Sequence, residues 1–207
     1  MPVIAVVNPK GGVGKSTLAT NIAGYFASRG VPVMLGDIDR QQSTGTWLGL
    51  RPDVVAPIQS WDVSQARLRP PKGVTHVVLD TPAQIPAAKL ADVIRVADKI
   101  AVPIQPSLFD IMATRQFLID LRAACGSDKV FAQKVALVGM RVDPRTRASD
   151  ELRRFVEDLG VPLAGYLRDT QNYVQFAAHG LTLFDLPAQR TQLDRSTWKP
   201  LVDWLES

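Results

Sequence analysis

Lys10-Gly11-Gly12-Val13-Gly14-Lys15-Ser16-Thr17, KGGVGKST, is the stretch that decides the fold. Gly11, Gly12 and Gly14 let the backbone turn tightly and aim successive N–H groups inward, a nest for phosphate oxygens in which Val13 is also counted among the nucleotide-binding residues. A helix that starts here adds its positive N-terminal dipole. The motif requires a strand before the loop and a helix after it. Both are predicted. Residues 3–7 are apolar, rich in β-branched side chains and bounded by Asn8-Pro9, which reads as a buried strand. Residues 16–28 read as a helix ending at Arg29-Gly30, where glycine suits a left-handed cap. In this setting Lys15 is placed to set its ammonium between the β- and γ-phosphates of a nucleotide, Ser16 to give its hydroxyl to Mg²⁺, and Thr17 to reach the α-phosphate side.

Working outward, further apolar runs at 31–35, 74–79, 99–104 and 135–140 are continuous rather than alternating, as expected of strands buried on both faces. Helical stretches at about 86–96, 108–124 and 149–159 lie between or after them. The last is the plainest, with Leu152, Phe155, Val156 and Leu159 on one face and Arg153, Arg154 and Asp158 on the other. Strands alternating with helices at this spacing predict a doubly wound, mostly parallel α/β sheet with helices on both faces. Such sheets bind ligands beyond the carboxyl ends of their strands, where the glycine loop falls. Residues 1–207 read as a single domain, with 69–73 as a surface loop.

Composition narrows the class. The chain is 46% hydrophobic and 21% charged, ordinary for a globular protein, and its one cysteine, Cys125, permits no internal disulfide. No Cys/His cluster suits zinc or an iron–sulfur centre, and no apolar run approaches the ~20 residues that span a bilayer. The N-terminus has no basic leader, so a reducing cytoplasm is expected. Residues 1–140 hold 15 Lys and Arg against 10 Asp and Glu, and residues 141–207 hold 9 against 10. With no strongly basic block, any nucleic-acid site must be assembled in three dimensions, and from two subunits if one patch is too small.

An ordinary phosphate loop begins with glycine where this chain has Pro9, and Lys10 stands next to it. That departure resembles the deviant Walker A group, the ParA/MinD family of SIMIBI-class ATPases, whose pattern is KGGxxK followed by Ser or Thr. The resemblance covers nearly the whole chain and is nearest to the short ParA-like partition and positioning ATPases that lack an N-terminal helix-turn-helix domain. It implies ATP/ADP and Mg²⁺ as ligands, slow partner-stimulated hydrolysis, and an ATP-bound sandwich homodimer in which Lys10 reaches the partner's nucleotide. The segment Gly36-Asp37-Ile38-Asp39-Arg40-Gln41-Gln42-Ser43 resembles the family's switch DxDPQ, with Arg40 in place of proline. By that resemblance Asp39 orients the attacking water near Mg²⁺, while Asp37 is read equally as the cap of the next helix. Asp80, closing Val77-Val78-Leu79-Asp80, resembles Walker B and would hold the Mg²⁺ hydration shell from the second sphere. Pro103 and Pro106-Ser107 resemble a segment that approaches the dimer interface, or are simple loop prolines. Met140-Arg141 falls where relatives hold adenine, and an Arg plane can stack on the base. Cys125, His76 and His179 have no partners at catalytic spacing and are read as structural.

The resemblance further implies an ATP-bound dimer that binds nucleoid DNA without sequence preference and is released by a ParB-like or cargo-adaptor protein. The cargo in this group can be a plasmid, a chromosome, a chemoreceptor cluster or a carboxysome. Arg145, Arg147, Arg153, Arg154 and Arg168 are the candidate DNA contacts, or equally a solvated helix face diluted by Asp150, Glu151 and Asp158. Two rivals are weighed. A MinD-like membrane switch would need a basic amphipathic C-terminal helix, whereas Trp198, Leu201, Val202 and Leu205 form an apolar face beside one lysine and two acids. A phosphate-loop metabolic enzyme would need its own substrate constellation, and none is found.

Overall fold

A computed structural model describes residues 2–39, 41–63, 68 and 76–207. Among the described residues the strands are β1 (Val3–Val6), β2 (Val33–Asp37), β3 (Gln59–Trp61), β4 (His76–Asp80), β5 (Lys99–Ile104), β6 (Val135–Val142) and β7 (Leu163–Arg168). They form one sheet in the order β3-β2-β4-β1-β5-β6-β7, and every pairing is parallel. The helices are α1 (Lys15–Ser28), α2 (Ser43–Gly49), α3 (Ala87–Val96), α4 (Leu108–Ala124), α5 (Asp128–Lys134), α6 (Arg147–Leu159), α7 (Asn172–Ala177) and α8 (Ala188–Glu206), with a 3-10 turn at Leu183–Asp185.

The pleat sends successive side chains of β1 to opposite faces, and each face carries its own core. Ile4 and Val6 pack with Leu18 and Ile22 of α1 and with Trp198 and Leu201 of α8. Val3, Ala5 and Val7 lie on the other side with Val93 of α3, Leu121 of α4, Phe131 of α5 and Leu152 of α6. Helices therefore cover both faces, as the sequence predicts. β1 sits between β4 and β5, so the chain winds outward on both sides of it and leaves a crevice beyond its carboxyl end.

Most boundaries agree with expectation, and the differences have local causes. β2 starts at Val33 rather than 31 because Pro32 has no N–H for the ladder; its carbonyl instead accepts the His76 N–H at 3.2 Å. α6 starts at Arg147 because the Thr146 hydroxyl accepts the Ser149 N–H and so caps the helix earlier. β6 runs on to Val142. The expected start of the β4 strand at 74, the loop at 69–73 and Arg40 lie outside the described residues.

The C-terminal helix is longer than its apolar face suggests, spanning Ala188–Glu206. Trp198, Leu201 and Leu205 are buried against the sheet and Val202 packs at the edge of that core. No described helix is long and apolar enough to cross a membrane.

Candidate functional site

The glycine loop leaves β1 under the control of Asn8. Its Nδ2 donates to the Pro103 carbonyl (2.8 Å) and to the Thr114 hydroxyl (3.2 Å), and its Oδ1 accepts the Lys10 N–H (2.8 Å). Gly14 has φ +97°, a conformation that requires glycine, and a Cβ there would also press on the flexible end of Met140, 2.6 Å from its Cε. No side chain caps α1, which leaves its first N–H groups to a ligand. Lys15 is buried, and its Nζ donates to the Lys10 carbonyl at 2.8 Å. Burial pushes its pKa down, opposed by the carboxylates of Asp80 and Asp39.

The loop lines a cavity of about 340 Å³ that Gly11, Gly12, Gly14, Lys15, Ser16 and Thr17 share with Asp39 and Arg141. Three carboxylates border this region with distinct tasks. Asp37 caps α2: its Oδ2 accepts the N–H (2.9 Å) and hydroxyl (2.8 Å) of Thr44, while its Oδ1 accepts the Asp39 N–H (2.9 Å). Asp37 is therefore scaffold. Asp39 is half-buried, accepts the Gln41 N–H at 3.0 Å and lines the phosphate cavity.

Asp80 is 1% exposed, and its Oδ1 has no hydrogen-bond partner. Burial raises its pKa to about 7, opposed by a hydrogen bond from Ser16, with Asp37 nearby pushing the same way as burial. An orphaned buried carboxylate oxygen next to the Ser16 hydroxyl fits Mg²⁺ chemistry, in which the ion keeps several waters and takes few protein ligands. Ser16 would hold the ion directly and Asp80 through water. Among the described residues no cluster of three His, Cys, Asp or Glu side chains could by itself hold a metal ion.

The two loop lysines point to different places. Lys15 turns inward, whereas the Lys10 ammonium pairs with Asp110 of α4 at 2.8 Å, with side-chain exposures of 38% and 8%. Asp110 also hydrogen-bonds Ser107, whose hydroxyl accepts the Asp110 N–H to cap α4. Sequence reasoning missed Asp110 as the resting partner of Lys10. The signal was present, since Ser107-x-x-Asp110 has the spacing of a reciprocal helix cap.

A second cleft, about 330 Å³, continues from the phosphate cavity and shares Gly14, Thr17 and Arg141 with it. Val13 and Met140 stand on the loop side, and Arg168, Tyr173 and Val174 on the other. Met140 and Arg141 thus both border the space next to the phosphate nest. Arg141 adopts φ +53°, an uncommon left-handed conformation for a non-glycine residue, and Gln42 at the start of α2 does the same with φ +51°. Strained backbone therefore marks two rims of the site.

The five candidate arginines do not form one free patch. Arg145 is bidentate on Asp143 (2.9 and 2.8 Å), and this pairing holds the Asp143 carboxyl down at about 2. Arg153 contacts Asp150 at 3.4 Å, and Arg147 and Arg154 are exposed. Arg168 is tied to buried Asp194 at 2.8 Å and borders the second cleft, with Arg145 across a small neighbouring hollow.

A family model described as the CobQ/CobB/MinD/ParA nucleotide binding domain matches residues 4–183. A maintenance of carboxysome distribution protein A from Halothiobacillus neapolitanus is 30% identical over 194 residues, covering 90% of this chain and 88% of that protein. Its namesake from Gloeobacter kilaueensis is 27% identical over 213 residues, covering 99% and 94%. Among solved structures, an ATP complex of Cyanothece McdA superposes with TM-score 0.70 at 15% identity, covering 98% of this chain and 96% of that one.

Proposed function

The chain belongs to the CobQ/CobB/MinD/ParA nucleotide-binding family, and on that premise we propose that it is an ATP-driven positioning switch. It binds Mg²⁺–ATP, closes into a homodimer across the nucleotide, and hydrolyses ATP to ADP and phosphate to reopen. Lys15 and the loop N–H groups hold the phosphates, Ser16 and Asp80 hold Mg²⁺, and Asp39 orients the water. In such displacement the protein's work is positioning and charge stabilisation, which suits a site of fixed N–H groups and one half-buried carboxylate.

The observation that carries the dimer reading is the divergence of the two lysines. Lys10 rests on Asp110 outside its own nest, at a half-exposed position from which it can reach a second chain once that pair opens. Beside it, the first two turns of α4 expose Leu108 (62%), Phe109 (76%) and Met112 (61%), the kind of apolar surface that marks a protein interface. The relatives named for maintenance of carboxysome distribution favour a large protein assembly as cargo; nucleoid DNA is the proposed track and a cargo adaptor the proposed stimulator. The exposed Arg147 and Arg154 support a modest DNA contact that dimerisation doubles. The buried apolar face of α8 speaks against a MinD-like membrane anchor there.

Light scattering with ATP, ADP or no nucleotide tests the switch. ATP with Asp39→Ala is expected to give a stable dimer, and Lys10→Ala to remain monomeric while binding ATP within about threefold of wild type. A Lys10→Ala protein that dimerises normally would refute the cross-chain role. DNA retention that depends on ATP and falls as salt rises tests the nucleoid reading.

A further inference from the structure

Asp194 lies on α8, outside the cleft, 2% exposed, and neither the phosphate chemistry nor the core requires a charge there. Its Oδ1 accepts Nη1 of Arg168 at 2.8 Å, and its Oδ2 accepts Nδ2 of Asn172 at 2.7 Å. Arg168 is the last residue of β7 and Asn172 the first of α7. The residues between them, Asp169, Thr170 and Gln171, line the second cleft together with Arg168 and Tyr173. One carboxylate therefore pins both ends of the wall facing Met140 and Arg141. A second tie runs from the same helix, where Trp198 Nε1 donates to the Tyr173 hydroxyl at 2.9 Å.

From this arrangement we infer that Asp194 is a positioning residue for the base end of the bound nucleotide, acting through Arg168 and Asn172 on a wall it does not itself form. The inference rests on reading the second cleft as the continuation of the phosphate site. A buried carboxylate with one cationic partner contributes little net stability, because desolvation offsets the attraction. What it supplies is geometry. With Nη1 held by Asp194, the other guanidinium nitrogens of Arg168 make no hydrogen bond to described protein atoms and remain available to a ring nitrogen or ribose hydroxyl. Asn172 is fixed by the same oxygen pair, so the turn between β7 and α7 is held at both ends before a ligand arrives, which lowers the ordering cost of binding.

The experiment compares Mg²⁺–ATP with inorganic triphosphate on the full chain by calorimetry, alongside thermal melts. Wild type is expected to prefer ATP. Asp194→Ala is expected to weaken ATP about tenfold while leaving triphosphate within about twofold, with Asp194→Asn intermediate. Asn172→Ala, a milder change at the rim, is expected to weaken ATP on its own and to add little in the Asp194→Ala background, the non-additivity of groups acting as one unit. Should Asp194→Ala fail to fold, Asn172→Ala and Asp194→Asn carry the same comparison. Equal loss of ATP and triphosphate in these variants, or no loss of ATP, overturns the positioning role. A wild type that binds triphosphate as tightly as ATP fails one step earlier, because then the second cleft is not a base site at all.

Discussion

The two ends of the cleft are built by opposite means. At the proposed phosphate end the lining is mostly one run of consecutive residues whose backbone N–H directions are fixed by glycine conformation and by Asn8 behind the loop. At the other end the wall is gathered from β6, β7, α7 and the turn between them, and it is braced from behind by side-chain bonds to a single buried carboxylate on α8. Backbone donors cannot be deleted by substitution, whereas a side-chain clamp can. The phosphate end should therefore respond steeply only at its few charged groups, and the base end should weaken by smaller steps spread over several elements.

Three measurements sharpen or break that contrast. The largest effect is expected at Asp39, where alanine should lower single-turnover hydrolysis by roughly 100-fold or more with ATP affinity nearly unchanged, as for a group acting on the reacting water alone. Comparable loss of ATP affinity would make Asp39 a binding rather than a water-orienting residue. Lys15→Ala should follow, lowering affinity for ATP and for inorganic triphosphate alike, by about 100-fold, since it removes a charge-assisted contact shared by both. A selective loss of ATP alone would blur the boundary between the two ends.

The smallest effect concerns pH. The Asp80 carboxyl is raised to about 7 in the folded chain, above its ordinary value, so the fold binds a proton there that the unfolded chain has already released. Its contribution is full below the ordinary carboxylate range and is lost as pH rises toward 7. The ligand-free protein should accordingly melt a few degrees lower at pH 7.5 than at pH 5.5 on this account. Asp80→Asn should flatten the difference, and an unchanged pH profile in that variant would assign it to other groups.

The phosphate end was legible in the sequence because its chemistry is local: KGGVGKST is contiguous, and the strand before it and helix after it announce themselves by apolar pattern. Asp80 was legible for a similar reason, as the carboxylate that closes an apolar strand. Asp37 was ambiguous, since a side chain that caps α2 and one that serves a ligand look alike until Thr44 is placed against it. Arg168 is the instructive case. As a sequence feature it is a basic residue near other basic residues, and only the fold brings it beside Asp194, 26 positions away, and turns it toward the cleft. The short elements β3, α5, β7 and α7 escaped because three to seven residues carry too little periodicity to announce themselves.

The Lys10–Asp110 pair carries a consequence for timing. Asp110 is nearly sealed from water and keeps only the Ser107 hydroxyl when Lys10 departs, at an expected cost of about 1 kcal/mol for a pair whose lysine is half-exposed. In the proposed dimer two such pairs open together, one per subunit. The closed assembly is then loaded like a spring, held shut by the nucleotide between the subunits. In that proposed cycle, re-forming the Lys10–Asp110 pair on each α4 after the γ-phosphate leaves would favour separation.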